Sequence, residues 1–137
     1  MRTRELSIAT GSVASLTDLT DECSAFLADV AEGGDGLLTV FVPHATAGVV
    51  VVELGAGSDA DLLAALEHLL PHDDRWSHRH GSPGHGADHV LPLLVSPSLT
   101  VPVVGGRMTL GTWQSIALLD PNGDNPQRTV HLSYLVG

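Results

Sequence analysis

Five of the eight histidines in this 137-residue chain fall between His72 and His89, and a sixth, His44, follows an apolar strand pattern. Neutral imidazole is the commonest side-chain ligand for divalent metals, and catalytic zinc typically takes three protein ligands and a water. His44 at a strand end and two histidines of the later segment would make such a set. Spacing alone does not choose among them. There is no HExxH pair, His80 and His85 are as eligible as His78 and His89, and a His-rich loop can be merely solvated. His68 falls on a helix surface and His131 in an ordinary strand, and neither suggests a ligand.

Glu53 sits in the apolar run Val49 to Leu54, where a carboxylate is costly to bury unless it is paired or metal-linked; it can equally face solvent. Arg107, after Gly105-Gly106, is a candidate anion contact or a solvated hairpin residue.

The charge balance narrows the chemistry. Sixteen acidic residues stand against six arginines and no lysine, a formal net charge of −10. Such a surface repels phosphate backbones and anionic headgroups, which disfavours nucleic acid and membranes as partners. Lysine Schiff bases and a Walker-type phosphate lysine are excluded. The single cysteine, Cys23, excludes an intrachain disulfide and reads as a buried core thiol of a helix. No stretch has signal-peptide character or approaches a membrane span, so a cytoplasmic protein is expected.

The elements that must position these residues follow from periodicity. Arg4 to Ala9 alternates as a first strand. From Asp18, the residues Leu19, Cys23, Phe26, Leu27 and Val30 recur at helical spacing, with acids at the start and Gly33-Gly34 as the stop. Leu37 to Val42 and Val49 to Leu54 read as strands deep in a sheet. Ser58 and Asp61 suggest a capping box for a helix carrying Leu62, Leu63, Leu66, Leu69 and Leu70, ended by Pro71.

Pro71 to Asp88 reads as a long loop, a length that in compact domains signals function or disorder. Val90 to Leu94 suggests a short helix disturbed by Pro92. Strands are expected over Leu99 to Val104, Arg107 to Leu119 with a bend at Gly111, and Arg128 to Val136. Gly105-Gly106 suits a hairpin, and Asp120 to Pro126 is dense turn chemistry. The sum is one domain over residues 1–137, of α+β class: a largely antiparallel β-sheet sandwich with two main helices.

Taken in order, His44-Ala45-Thr46-Ala47-Gly48 with Glu53, Trp76-Ser77-His78, His89, Gly106-Arg107 and Gly111-Thr112-Trp113-Gln114 resemble the YjbQ-like family over nearly the whole chain. The Gly-Thr-Trp-Gln run is the most specific part. The resemblance implies a homotrimer with a divalent metal, zinc being the expected ion, held by His44, His78 and His89. It sets His80 and His85 aside as positions without a fixed family histidine. It also implies a carboxylate role for Glu53 and a polar role for Gln114.

The family's associated activity is a secondary thiamine-phosphate synthesis, which joins a pyrimidine pyrophosphate to a thiazole phosphate. A small, phosphorylated substrate is therefore expected. Ala45 stands where the family usually has threonine, Val52 where it has asparagine, His85 where it has asparagine and Asp120 where it has glutamate. These changes touch substrate recognition and leave the three implied ligands in place. Two other readings are a non-catalytic trimer stabilised by metal, with Trp113 as core or interface packing, and a metal-dependent hydrolase.

Overall fold

The computed structural model describes all of residues 1–137, in two antiparallel sheets. Strands β1 (Arg2–Ala9), β2 (Ser15–Asp18), β3 (Gly36–Phe41), β4 (Gly48–Val52), β5 (Ser98–Val104), β6 (Arg107–Met108), β7 (Ser115–Asp120) and β8 (Gln127–Val136) alternate with helices α1 (Thr20–Val30), α2 (Ser58–Leu69) and α3 (Gly86–Val90). One sheet runs β1-β8-β3-β5-β6 and the other β2-β7-β4. No helix is long and apolar enough to cross a membrane.

Alternation builds the larger sheet. In β8, Val130, Leu132 and Tyr134 point inward while the residues between them are partly or fully exposed. Beside it, β3 sends Leu38 and Val40 to the same core. Helix α1 lays Cys23, Phe26 and Leu27 over them, and Ile116 and Leu118 of β7 close the cluster from the second sheet. Burial pushes the Cys23 thiol up to about 12, so it is an unreactive core group.

The run Ile116 to Leu119 is buried at every residue because β7 is covered on both faces. Its other face carries Leu119, which meets Leu70, Ala87 and Leu91 in a second, smaller core under α2 and α3.

The structure differs from the sequence reading at four places. Strand β2 has only four residues and was not anticipated. The segment Arg107 to Leu119 is not one bent strand: β6 ends at Met108, and β7 begins at Ser115 in the other sheet. Thr109 to Gln114 makes that crossing, with Gly111 N–H donating to Gln114 Oε1 at 2.8 Å. Strand β4 lies at a sheet edge rather than in the middle, and its apolar outer face lines an open groove with α2. The Ser58–Asp61 capping box does not form; Gly57, at φ 94°, is the N-cap and gives no side-chain bond.

Two turns behave as their residues dictate. Gly105 and Gly106, at φ 57° and 77°, close the β5–β6 hairpin in the conformation that favours glycine. Between β7 and β8, Asp120, Asn122 and Asn125 side chains each accept the backbone N–H two residues on.

Candidate functional site

The β7–β8 turn is the floor of the site. Arg128 donates from Nε and Nη2 to the two oxygens of Asp120, each at 2.8 Å, and both residues are buried. Thr10 Oγ1 donates to Asp120 at 2.6 Å, and Arg128 donates to Thr46 Oγ1 at 3.0 Å. Every strong polar group of this buried pair is therefore answered, the condition under which such a pair is tolerated. The ladder of turn bonds then projects Asn122 and Asp124 toward the histidine segment.

That segment is tied down at several points. Trp76 Nε1 donates to the Pro71 carbonyl at 2.8 Å, and the indole backs onto Gly86. Ser82 N–H donates to Asp124 at 3.0 Å. His72 spans two helices, reaching Glu67 of α2 through Nδ1 and Asp88 of α3 through Nε2, both at 2.7 Å. Burial is the chief influence lifting Asp88 above the usual carboxylate range, against the pull of His72. Long though it is, the loop is anchored.

Four imidazoles converge on it. His85 and His89 are one helical turn apart, so they share a face, and their Nε2 atoms lie 2.9 Å from each other. The His78 ring centroid lies 4.0 Å from that of His89 and 4.0 Å from that of His80. His78, His80 and His85 each offer a ring nitrogen such that all three lie within 4.8 Å of one another. His78 Nε2 is buried and has no hydrogen-bond partner. Burial, then neighbouring imidazoles, push His78 and His89 below the ordinary histidine value, which favours the neutral form that can donate a lone pair. A ring of imidazoles around an orphaned nitrogen fits a divalent cation of the zinc kind.

The six residues singled out from sequence fall in four places within one chain. His78 and His89 are in the cluster. His44 lies outside it, its Nε2 accepting the Thr129 N–H at 2.9 Å; burial and the nearby Arg128 push it below the ordinary value. Glu53 is exposed beyond β4, beside Ser58 and Asp61.

Arg107 and Gln114 share a separate cleft of about 580 Å³ with Thr20 and Ser24. It lies by Gly33 and Asp35 at the start of β3, whereas His44 follows the other end. The length of β3 alone separates the two by roughly 20 Å. Trp113 is 74% exposed, so it is not core packing of this chain.

Sequence reasoning held His80 and His85 eligible and set them aside on the resemblance, and it passed over Asn122, Asp124 and Arg79. The i, i+4 spacing of His85 and His89 was a signal for retaining His85; the others depend on chain folding. Arg79 lines a cleft of about 440 Å³ with His78 and donates to the Asp74 carbonyl at 3.3 Å, without a carboxylate partner. It is the arginine nearest His78 in sequence, whereas Arg107, the candidate anion contact of the sequence reading, lies in the other cleft.

The comparisons agree with this architecture. The sequence profile described as UPF0047 protein YjbQ-like matches residues 4–136. A UPF0047 protein of Mycobacterium bovis is 60% identical over 122 residues, covering 89% of this chain and 92% of the relative. A hypothetical protein from Aeropyrum pernix K1 superposes with a TM-score of 0.88 at 33% identity, covering 100% of both chains. A "YbjQ-like protein of unknown function" from Sulfolobus solfataricus reaches 0.91 over 99% of this chain and 97% of its own; at 23% identity it speaks for the fold alone. The chain belongs to the YjbQ-like UPF0047 family.

Proposed function

We propose that this protein is a metal-dependent enzyme acting on a small phosphorylated substrate, with the histidine cluster as its metal centre and zinc as the ion. The observation that carries this reading is His78 Nε2, buried without a partner inside a ring of three further imidazoles. His78 and His89 are ligands in this reading. A bound divalent cation would supply charge neutralisation at a phosphate or pyrophosphate oxygen, or an acidified water. Arg79, in the adjoining cleft, is placed to bind the anionic part of the substrate.

The specific reaction we favour is the thiamine-phosphate synthesis implied by the family resemblance. A C–N bond forms between the thiazole nitrogen and the pyrimidine methylene, while the C–O bond to pyrophosphate breaks and pyrophosphate leaves with the electron pair. The strongly acidic chain needs cations to hold two phosphorylated reactants, and Arg79 and a metal would provide them. A hydrolase with water as the acceptor would use the same centre.

The assembly we propose is a homotrimer. Helix α2 has no fully buried residue, Leu69 is 62% exposed, and ten apolar residues line an open groove between α2 and β4. An apolar surface of this kind favours a protein partner over water. Another copy would also be the source of an Arg107 and a Gln114 near a given histidine cluster, since its own lie at the far end of β3.

Metal analysis of purified protein, with His78→Ala and His89→Ala beside it, tests the centre. Bound zinc near one equivalent per chain, lost in both variants, is expected. Assay with the two thiamine precursors tests the reaction, and no turnover above a metal-stripped control would reject it.

A further inference from the structure

We propose that the cleft between α1 and the β5–β6 hairpin is a second binding site, for a small organic anion that carries a phosphate or carboxylate on an apolar body. It needs neither the histidine cluster nor a metal, and all of its groups come from one chain.

The charge of the cleft is the reverse of the chain's. Against a net charge of −10, its only charged lining residue is Arg107, and no carboxylate lines it. Three of the six arginines are answered by acids: Arg4 by Asp29, Arg75 by Asp73 and Arg128 by Asp120. Arg107 lines the cleft without such a partner, and its guanidinium keeps a fork of donors that matches a phosphate or a carboxylate.

Two other elements add donors. Gln114 Oε1 accepts the Gly111 N–H at 2.8 Å, which fixes the orientation of the amide and leaves its NH2 to donate. Thr20 Oγ1 accepts the Ile116 N–H at 3.0 Å, so its own proton is free for a ligand oxygen. Donors from α1, β6 and the loop before β7 therefore border one space, and a ligand that only accepts is the one they suit.

The walls are preformed and partly apolar. Leu27, Met108 and Leu110 supply the apolar surface. Gly106 N–H donates to the Gly34 carbonyl and Gly105 N–H to Asp35 Oδ1, each at 2.8 Å, which pins the hairpin to the turn between α1 and β3. Gly33 and Gly106, both at positive φ, meet so closely that a Cβ on Gly106 would stand 3.1 Å from Gly33 Cα. A cleft held this way before the ligand arrives lowers the entropy cost of binding. Its volume of about 580 Å³ falls within the roughly 300–1,000 Å³ of small-molecule pockets, more than a bare phosphate fills.

Calorimetric titration with phenyl phosphate, benzoate, inorganic phosphate and phenol tests the site, on wild type, Arg107→Gln, Gln114→Glu and His78→Ala. Phenyl phosphate should bind most tightly and benzoate next, since a phosphate offers more oxygens to three separate donors. Inorganic phosphate, without an apolar body, should bind at least about fivefold more weakly than phenyl phosphate, and phenol should give no measurable binding. Arg107→Gln should weaken phenyl phosphate binding by more than about tenfold. Gln114→Glu keeps the acceptor for Gly111 but replaces the free donor with a negative charge, and should weaken it as much. His78→Ala should bind as wild type does, which separates this event from any phosphate held at a metal. Binding that Arg107→Gln leaves intact, or that His78→Ala abolishes, overturns the proposal. Phenol or inorganic phosphate binding as tightly as phenyl phosphate overturns it too. Protein that takes up no zinc overturns the metal reading and leaves this site standing.

Discussion

Arg128 holds both carboxylate oxygens of Asp120 at 2.8 Å, across the turn that joins β7 to β8. The pair is buried beneath the histidine cluster and connects to it through Asn122, whose backbone N–H bonds Asp120 and whose side chain bonds His85. Stability and site geometry are therefore linked at one point. Arg128→Met leaves a buried carboxylate uncompensated and should cost about 3–5 kcal/mol in urea unfolding. Pairing it with Asp120→Leu should recover much of that loss, because two apolar groups need no partner. Unfolding of the single variant at the wild-type midpoint would refute the linkage.

Gly86 lies against Trp76 and the His78 carbonyl, and a Cβ there would collide with both. Those neighbours are backbone and the root of an indole, so neither swings aside cheaply. Gly86→Ala should displace His78 from α3, weakening zinc binding by more than about tenfold and shifting Trp76 emission. Ala28→Gly, remote on α1, serves as a control that leaves zinc binding unchanged.

His72 gives a pH dependence whose sign can be worked out. Burial, the largest influence, pulls its value down, but hydrogen bonds donated to Glu67 and Asp88 outweigh it and the net shift is upward from 6.5. A raised folded value means that this stabilisation is complete below about 6.5 and disappears as pH rises through the folded value. Glu67, held below its ordinary 4.5 first by its bond to His72, adds stability above that value and loses it on acidification. Thermal melts of wild type and His72→Gln should therefore differ more below about pH 6.5 than above it, the gap narrowing as pH rises. A gap that widens with pH would show that the contacts do not carry charge.

Leu69, at the exposed end of α2, tests the assembly. Light scattering should give three times the 14.3 kDa chain mass for wild type and a shift toward the single chain for Leu69→Asp. A wild-type monomer would remove the assembly, and with it the route for Arg107 and Gln114 to another copy's cluster.

Much of the fold was legible because local patterns and tertiary burial agreed. Cys23, Phe26 and Leu27 recur at helical spacing and do face the core, and the alternation of Val130, Leu132 and Tyr134 does set the inner face of β8. Where one pattern had two outcomes, it misled. The apolar run of β4 reads the same whether a strand or a helix covers it, and Arg107 to Leu119 conceals a change of sheet because both ends are strand-like.

The sequence by itself determined the chemistry available: histidines without lysine, an acid-rich surface, one inert thiol, and the motif order that marks the family. Tertiary structure decided which histidines meet. His85 joins His89 because α3 begins at Gly86 and puts residues four apart on one face, while Asn122 and Asp124 arrive from a turn 37 and 39 residues further along. His44 is kept apart by one bond to Thr129, from a strand 85 residues away in sequence. Residue type sets what an imidazole can do; only the path of the backbone sets its neighbours.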